Sequence, residues 1–97
     1  MLAEISVVPV GSGESLSRYI AEVLKIIEDY RVKYELTSMG TVIELNSYIE
    51  LGELLERINT RLVEMGVGRV YMVVKIDFRV KGGNIDQKKR SVIAKLD

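Results

Sequence analysis

The chain contains no histidine and no cysteine. The usual general base and the usual transition-metal ligand are therefore missing. Thiolate nucleophiles, disulfides, iron–sulfur clusters and cysteine-ligated zinc are excluded with them. The chemistry that remains belongs to carboxylates, Lys, Tyr, Ser and Thr. Glu44 and Asp77 are a candidate carboxylate pair for acid–base work. With no His and no metal-ligand spacing, hydrogen bonding or ion pairing is the expected role for both. Gly11, Gly13 and Ser15 have the look of a phosphate loop at a helix start, where backbone N–H groups attract anions. The spacing lacks a third Gly and a Walker lysine, so a plain strand-to-helix turn is expected. Tyr19, Tyr30, Tyr34, Tyr48 and Tyr71 are five of the six aromatic residues; each is expected half-buried with a wet hydroxyl. The run Lys88-Lys89-Arg90 is too short for a nucleic-acid tract and is expected to be a solvated tail. Met39-Gly40-Thr41 reads as a hairpin turn needing a glycine at positive φ, or as a turn that also lines a pocket.

These groups sit in a chain of 97 residues, 47% apolar and 29% charged. That is ordinary globular composition and predicts a single domain over 1–97, with a core at 1–81 and a basic tail at 82–97. Formal net charge is zero, so no long-range field draws in nucleic acid or an anionic membrane. Residues 1–80 hold nine basic and twelve acidic groups, and residues 81–97 hold five and two. No basic leader segment and no apolar run of membrane-spanning length is present, so a cytoplasmic protein is expected. No cofactor and no metal is expected.

Residues 2–9 alternate as a strand, with Ala3, Ile5 and Val7 on one side. Residues 15–30 read as a helix, with Ser15 as N-cap and an apolar stripe of Leu16, Ile20, Val23, Leu24 and Ile27. Residues 33–39 and 41–46 read as strands of a hairpin around Gly40. A second helix spans 48–65, opened by a Ser47–Glu50 capping box and closed by Gly66. Its expected stripe is Ile49, Leu54, Leu55, Ile58, Leu62 and Met65. Residues 69–80 form the longest strand, with Val70, Met72, Val74, Ile76, Phe78 and Val80 on one face. The tail 85–97 reads as a short helix that Ile85, Val92, Ile93 and Leu96 are available to dock. The order βαββαβ is the split-βαβ, ferredoxin-like arrangement, an α+β fold. It predicts a four-stranded antiparallel sheet with both helices on one face. The open face would carry Glu4, Ser6, Val8, Glu44, Tyr71, Val73, Lys75, Asp77 and Arg79, which is either a solvated surface or a wet subunit interface.

Three segments stand together: Ile5-Ser6-Val7-Val8-Pro9-Val10-Gly11, with Gly13, Ser15-Leu16-Ser17 and Tyr19; Tyr34-Glu35-Leu36-Thr37-Ser38-Met39-Gly40-Thr41, followed by Ile43-Glu44; and Gly68-Arg69-Val70, then Lys75-Ile76-Asp77 and Arg79. In that order they resemble the opening, the central Met-Gly-Thr motif and the last strand of the small thiamine-binding protein family. The resemblance covers residues 1 to about 81 and departs at Ser38, where the family commonly has Pro. It implies a ferredoxin-like domain that assembles into dimers or tetramers through its sheets. It also implies binding of thiamine or its hydroxymethylpyrimidine part, for salvage or transport, without catalysis. Thiamine would be a ligand rather than a cofactor.

The ligand-binding residues expected on this basis are Ser6, Ser17, Tyr34, Ser38, Met39, Gly40, Thr41, Glu44 and Asp77. A carboxylate such as Glu44 suits the amino group of an aminopyrimidine. Hydroxyls of Ser6, Ser17, Ser38 and Thr41 suit its ring nitrogens. A Tyr face suits the thiazolium cation, at about 0.5–2 kcal/mol. A competing reading is an oligomeric regulatory domain of ACT-like logic that senses another small metabolite. RNA binding shares the element order, but the first and third strands carry no aromatic side chain for stacking. An enzyme would need a nucleophile–base pair, and none is legible.

Overall fold

The computed structural model of the chain describes residues 1–11, 13 and 16–96. Seven elements follow in order: β1 (Leu2–Val10), α1 (Ser17–Asp29), β2 (Tyr34–Leu36), β3 (Thr41–Glu44), α2 (Tyr48–Glu64), β4 (Arg69–Asp77) and α3 (Ile85–Lys95). The strands form one sheet in the order β2-β3-β1-β4, with every neighbouring pair antiparallel. This is the ferredoxin-like α+β arrangement, with a third helix added.

The alternation of β1 is what makes the sandwich. Ala3, Ile5 and Val7 are buried, and they pack with Ile43 of β3, Val23, Ile26 and Ile27 of α1, and Leu51, Leu54, Ile58 and Leu62 of α2. Burying Ile27, Ile43, Leu54, Ile58 and Leu62 almost completely contributes about 1.5–3 kcal/mol for each side chain. The opposite face follows from the register. Leu2 lies between Glu44 and Asp77, and Glu4 lies between Val42 and Lys75. Further along, Ser6 faces Val73 and Val8 faces Tyr71.

Helix α2 has caps at both ends. The Ser47 hydroxyl accepts the Glu50 N–H at 3.1 Å. The Glu50 carboxylate reaches back to the Asn46 N–H at 2.9 Å, one residue earlier than a standard capping box. At the far end Gly66 takes φ +93°. Its N–H donates to Val63 O, and the Val67 N–H donates to Leu62 O. This is a Schellman closure that also buries Val67.

Several elements differ from the sequence expectation. Ser15 lies outside the described residues, and α1 starts at Ser17 behind Leu16, which makes no side-chain cap bond. The buried side of α1 is Tyr19, Val23, Ile26 and Ile27, while Leu16 is exposed. In α2 the first buried position is Leu51; Ile49, two residues earlier and on the far side of the helix, is 76% exposed. Tyr48 and Tyr71 are exposed rather than half-buried. β1 runs through Pro9 to Val10. Beyond Ile5 it has no β3 partner, and a proline is tolerated where a strand has a free side. β4 stops at Asp77, the partner of Leu2, where β1 begins. Phe78 and Val80 consequently leave the sheet and are exposed, with Phe78 resting 6.5 Å, ring to ring, from Tyr48.

Candidate functional site

The shortness of β2 and β3 creates a pocket at the edge of β1. β2 ends at Leu36 because the Thr37 side chain organises the turn. Its hydroxyl oxygen accepts the N–H groups of Met39 at 3.1 Å and Gly40 at 3.2 Å and donates to Gly40 O at 2.9 Å. The Thr37 N–H also donates to Gly40 O at 2.8 Å. Such local side-chain bonds compete with the strand ladder and end it. Gly40 is not at positive φ. What demands glycine there is proximity: a Cβ at this position would lie 3.0 Å from Ile5 O. The turn therefore presses against β1 at the point where β3 stops pairing with it.

Beyond that point the β3-facing side of β1 is open, and a pocket of about 250 Å³ lies between this edge, the turn and α1. Ile5, Val7, Ile20 and Val23 supply apolar wall; Ser6, Ser38 and Thr41 are the lining residues beside the β1 edge that carry hydroxyls, and Met39 stands at its rim with 81% of its surface exposed. Thr41 is only 6% exposed. Its hydroxyl has no hydrogen-bond partner among the described residues. Among the described residues no side-chain N or O shut off from solvent lacks a partner, so the Thr41 hydroxyl is reached from the pocket, where a ligand or water can pair with it.

Five of the nine expected residues, Ser6, Ser38, Met39, Gly40 and Thr41, thus line one pocket. Ser17 follows Leu16, which lines it too. The other three lie elsewhere. The Tyr34 hydroxyl donates to Glu28 at 2.6 Å on the outer surface, and this bond is the main reason its phenol is held above the usual Tyr range. Glu44 accepts the Ile85 N–H at 2.8 Å, at the start of α3. Asp77 is 3.5 Å from Arg79. Glu44 and Asp77 flank Leu2, four residues from Ser6 along β1, or about 13 Å at strand rise. They do not converge with the hydroxyl pocket or with each other into an acid–base pair.

The sequence reading missed the role of α3. The helix lies over the end of the open face, with Lys33 paired to Asp86 and Lys89 bonded to both Glu35 oxygens at 3.0 and 3.1 Å. Lys33 is held above the usual lysine range and Asp86 below the usual carboxylate range, chiefly by their mutual hydrogen bond. Asn84 caps the helix through the Asp86 N–H. The signal available in sequence was this Asn followed by an acidic first turn.

Fold and pocket together define a ferredoxin-like α+β domain with a small, hydroxyl-lined pocket at the open edge of its first strand. The chain belongs to the thiamine-binding protein family, whose model matches residues 3–93. Among curated relatives it is 36% identical over 78 residues to a UPF0045 protein of Methanothermobacter thermautotrophicus, covering 79% of each chain. It is 33% identical to a UPF0045 protein of Methanocaldococcus jannaschii, covering 99% of this chain and 94% of that one. A crystal structure of that hypothetical Methanocaldococcus protein superposes with a TM-score of 0.79 at 30% identity, over 96% of this chain and 94% of the other. A Thermotoga maritima structure, described as that of a proposed thiamine biosynthesis/salvage protein, has the same TM-score of 0.79 at 22% identity, over 94% and 96% of the two chains; this shows a shared fold. No helix among the described residues is long and apolar enough to cross a membrane.

Proposed function

We propose that this chain is a non-catalytic small-molecule binding protein that takes thiamine or its hydroxymethylpyrimidine part in the pocket at the Met39-Gly40-Thr41 turn, for salvage or transport in the cytoplasm. The observation that carries this is Thr41, a nearly buried residue whose hydroxyl has no partner among the described residues and which lines a pocket built from the family's central motif. Family membership supplies the ligand class. At about 250 Å³ the pocket is below the ~300–1,000 Å³ of drug-sized sites. It suits one ring, so the aminopyrimidine enters and the thiazolium stays at the rim beside Met39. Hydroxyls of Ser6, Ser38 and Thr41 serve the ring nitrogens. The unpaired main chain of β1 beyond Ile5 offers carbonyl oxygens to the amino group. Glu44 and Asp77 act on α3 and the open face instead.

The same reading has copies of the chain associate through the part of the open face that α3 leaves bare, where Val8, Tyr71 and Val73 are exposed, giving a dimer or tetramer.

Isothermal calorimetry with thiamine and with hydroxymethylpyrimidine, on protein purified through unfolding and refolding, tests the ligand. Micromolar or tighter binding is expected, weakened about tenfold or more in Thr41→Val with the fold intact. A silent titration on folded protein would overturn the reading. Binding that Thr41→Val leaves untouched would move the site away from this pocket.

A further inference from the structure

A larger cleft lies between α3 and the open face, reaching from the Leu2 end of β1 to Thr37, which lines the Thr41 pocket as well. Its volume is about 560 Å³, within the range of small-molecule sites. Leu2 and Val42 line it from the sheet, and Ile85, Val92 and Ile93 line it from α3. No residue of α3 is buried. The helix is therefore held off the sheet by its polar attachments to Lys33, Glu35 and Glu44, and its apolar side faces a gap rather than a packed core.

Charge at the rim is specific. Both carboxylates that line the cleft are engaged, Glu35 by Lys89 and Asp77 by Arg79. Lys88 also lines it, and no partner engages its ammonium among the described residues. The lining thus presents apolar walls and one uncompensated positive charge. The volume and lining of the cleft fit a small molecule.

We propose that this cleft is a second ligand site, separate from the Thr41 pocket, for an apolar molecule bearing one acidic group. The apolar body lies between Val42 and the Val92–Ile93 side of α3. The acid meets Lys88.

Two dyes that share a ring system test this on the full chain. Anilinonaphthalene sulfonate carries an acid and phenylnaphthylamine does not. The sulfonate dye is expected to bind with enhanced, blue-shifted emission and the neutral dye more weakly. Lys88→Gln should weaken the sulfonate dye about three- to fivefold, the scale of an exposed charge contact, and leave the neutral dye unchanged. Ile93→Asp, at an exposed position that the fold does not need, should remove both. Thiamine should displace neither. Sulfonate-dye binding that survives Ile93→Asp, or that Lys88→Gln leaves unchanged, would overturn the proposal. So would displacement by thiamine, or dye exclusion in a species of doubled mass, since a second copy would then fill the cleft. Calorimetry with thiamine reads the other pocket, so the two proposals fail independently.

Discussion

At the scale of single residues, Gly40 and Thr41 divide the work of the pocket. Gly40 holds the turn against β1, since any Cβ there meets Ile5 O at 3.0 Å. That neighbour is backbone and cannot swing aside. Gly40→Ala is expected to lower stability by about 1–3 kcal/mol, the scale of overpacking, and to open the pocket. Denaturant unfolding with thiamine calorimetry on the same sample checks it; unchanged stability would show that the turn yields without cost. Thr41 is expected to behave in the opposite way, because its hydroxyl bonds to nothing among the described residues. Gly66 is a pure conformational case. It sits at φ +93°, and a Cβ added there would meet nothing within 4 Å. Gly66→Ala should therefore cost about 1 kcal/mol through backbone strain alone, with ligand binding unaffected. A loss of binding would mean that the α2 terminus is coupled to the pocket.

At the scale of elements, α3 stands out from the other two helices. α1 and α2 each bury four residues, whereas α3 buries none and depends on surface charges. Its attachment should therefore follow the titration of Lys33 and Asp86. The Asp86 carboxyl is held low by Lys33. Its contact contributes above the ordinary Asp value of about 3.9 and is lost as pH falls through the lowered one. The Lys33 ammonium is held high by Asp86. Its contact contributes fully below about 10.4 and is lost as pH rises through the raised value. Protection of α3 amides, corrected for intrinsic exchange, should be level between about pH 5 and 9 and fall outside that window. It should also fall with salt, since these pairs are exposed. A salt-independent α3 would show that apolar contact holds the helix. Asn84→Ala should fray it further, by about 1 kcal/mol of capping, without altering the unfolding of the sheet.

At the scale of the whole molecule, two ends of the open face have different surfaces. One lies under α3. The other exposes Val8, Tyr71 and Val73, which the register places on neighbouring rows of β1 and β4. Sedimentation equilibrium is expected to find a mass two or four times the 10.9 kDa of the chain. Val73→Glu should reduce it to the single chain, because a charge is costly in a desolvated interface. A wild-type chain that sediments as a monomer at high micromolar concentration would remove self-association from the reading.

The sequence alone determined the order of elements, the fold class and the helix-facing residues of β1, because alternation and helical spacing are local and repeat often enough to be unambiguous. Ser47 and Gly66 marked the ends of α2 for the same reason: caps are local chemistry. The motif around Met39-Gly40-Thr41 was legible as a resemblance. Its geometry was not, since the need for glycine at position 40 comes from Ile5, thirty-five positions away. Tertiary structure decided which candidates meet. Register put Glu44 and Asp77 on either side of Leu2, while the early end of β3 left Ser6 beside Thr41. It also decided the place of α3, whose attachments to Lys33, Glu35 and Glu44 span forty or more residues of chain and follow from no local pattern.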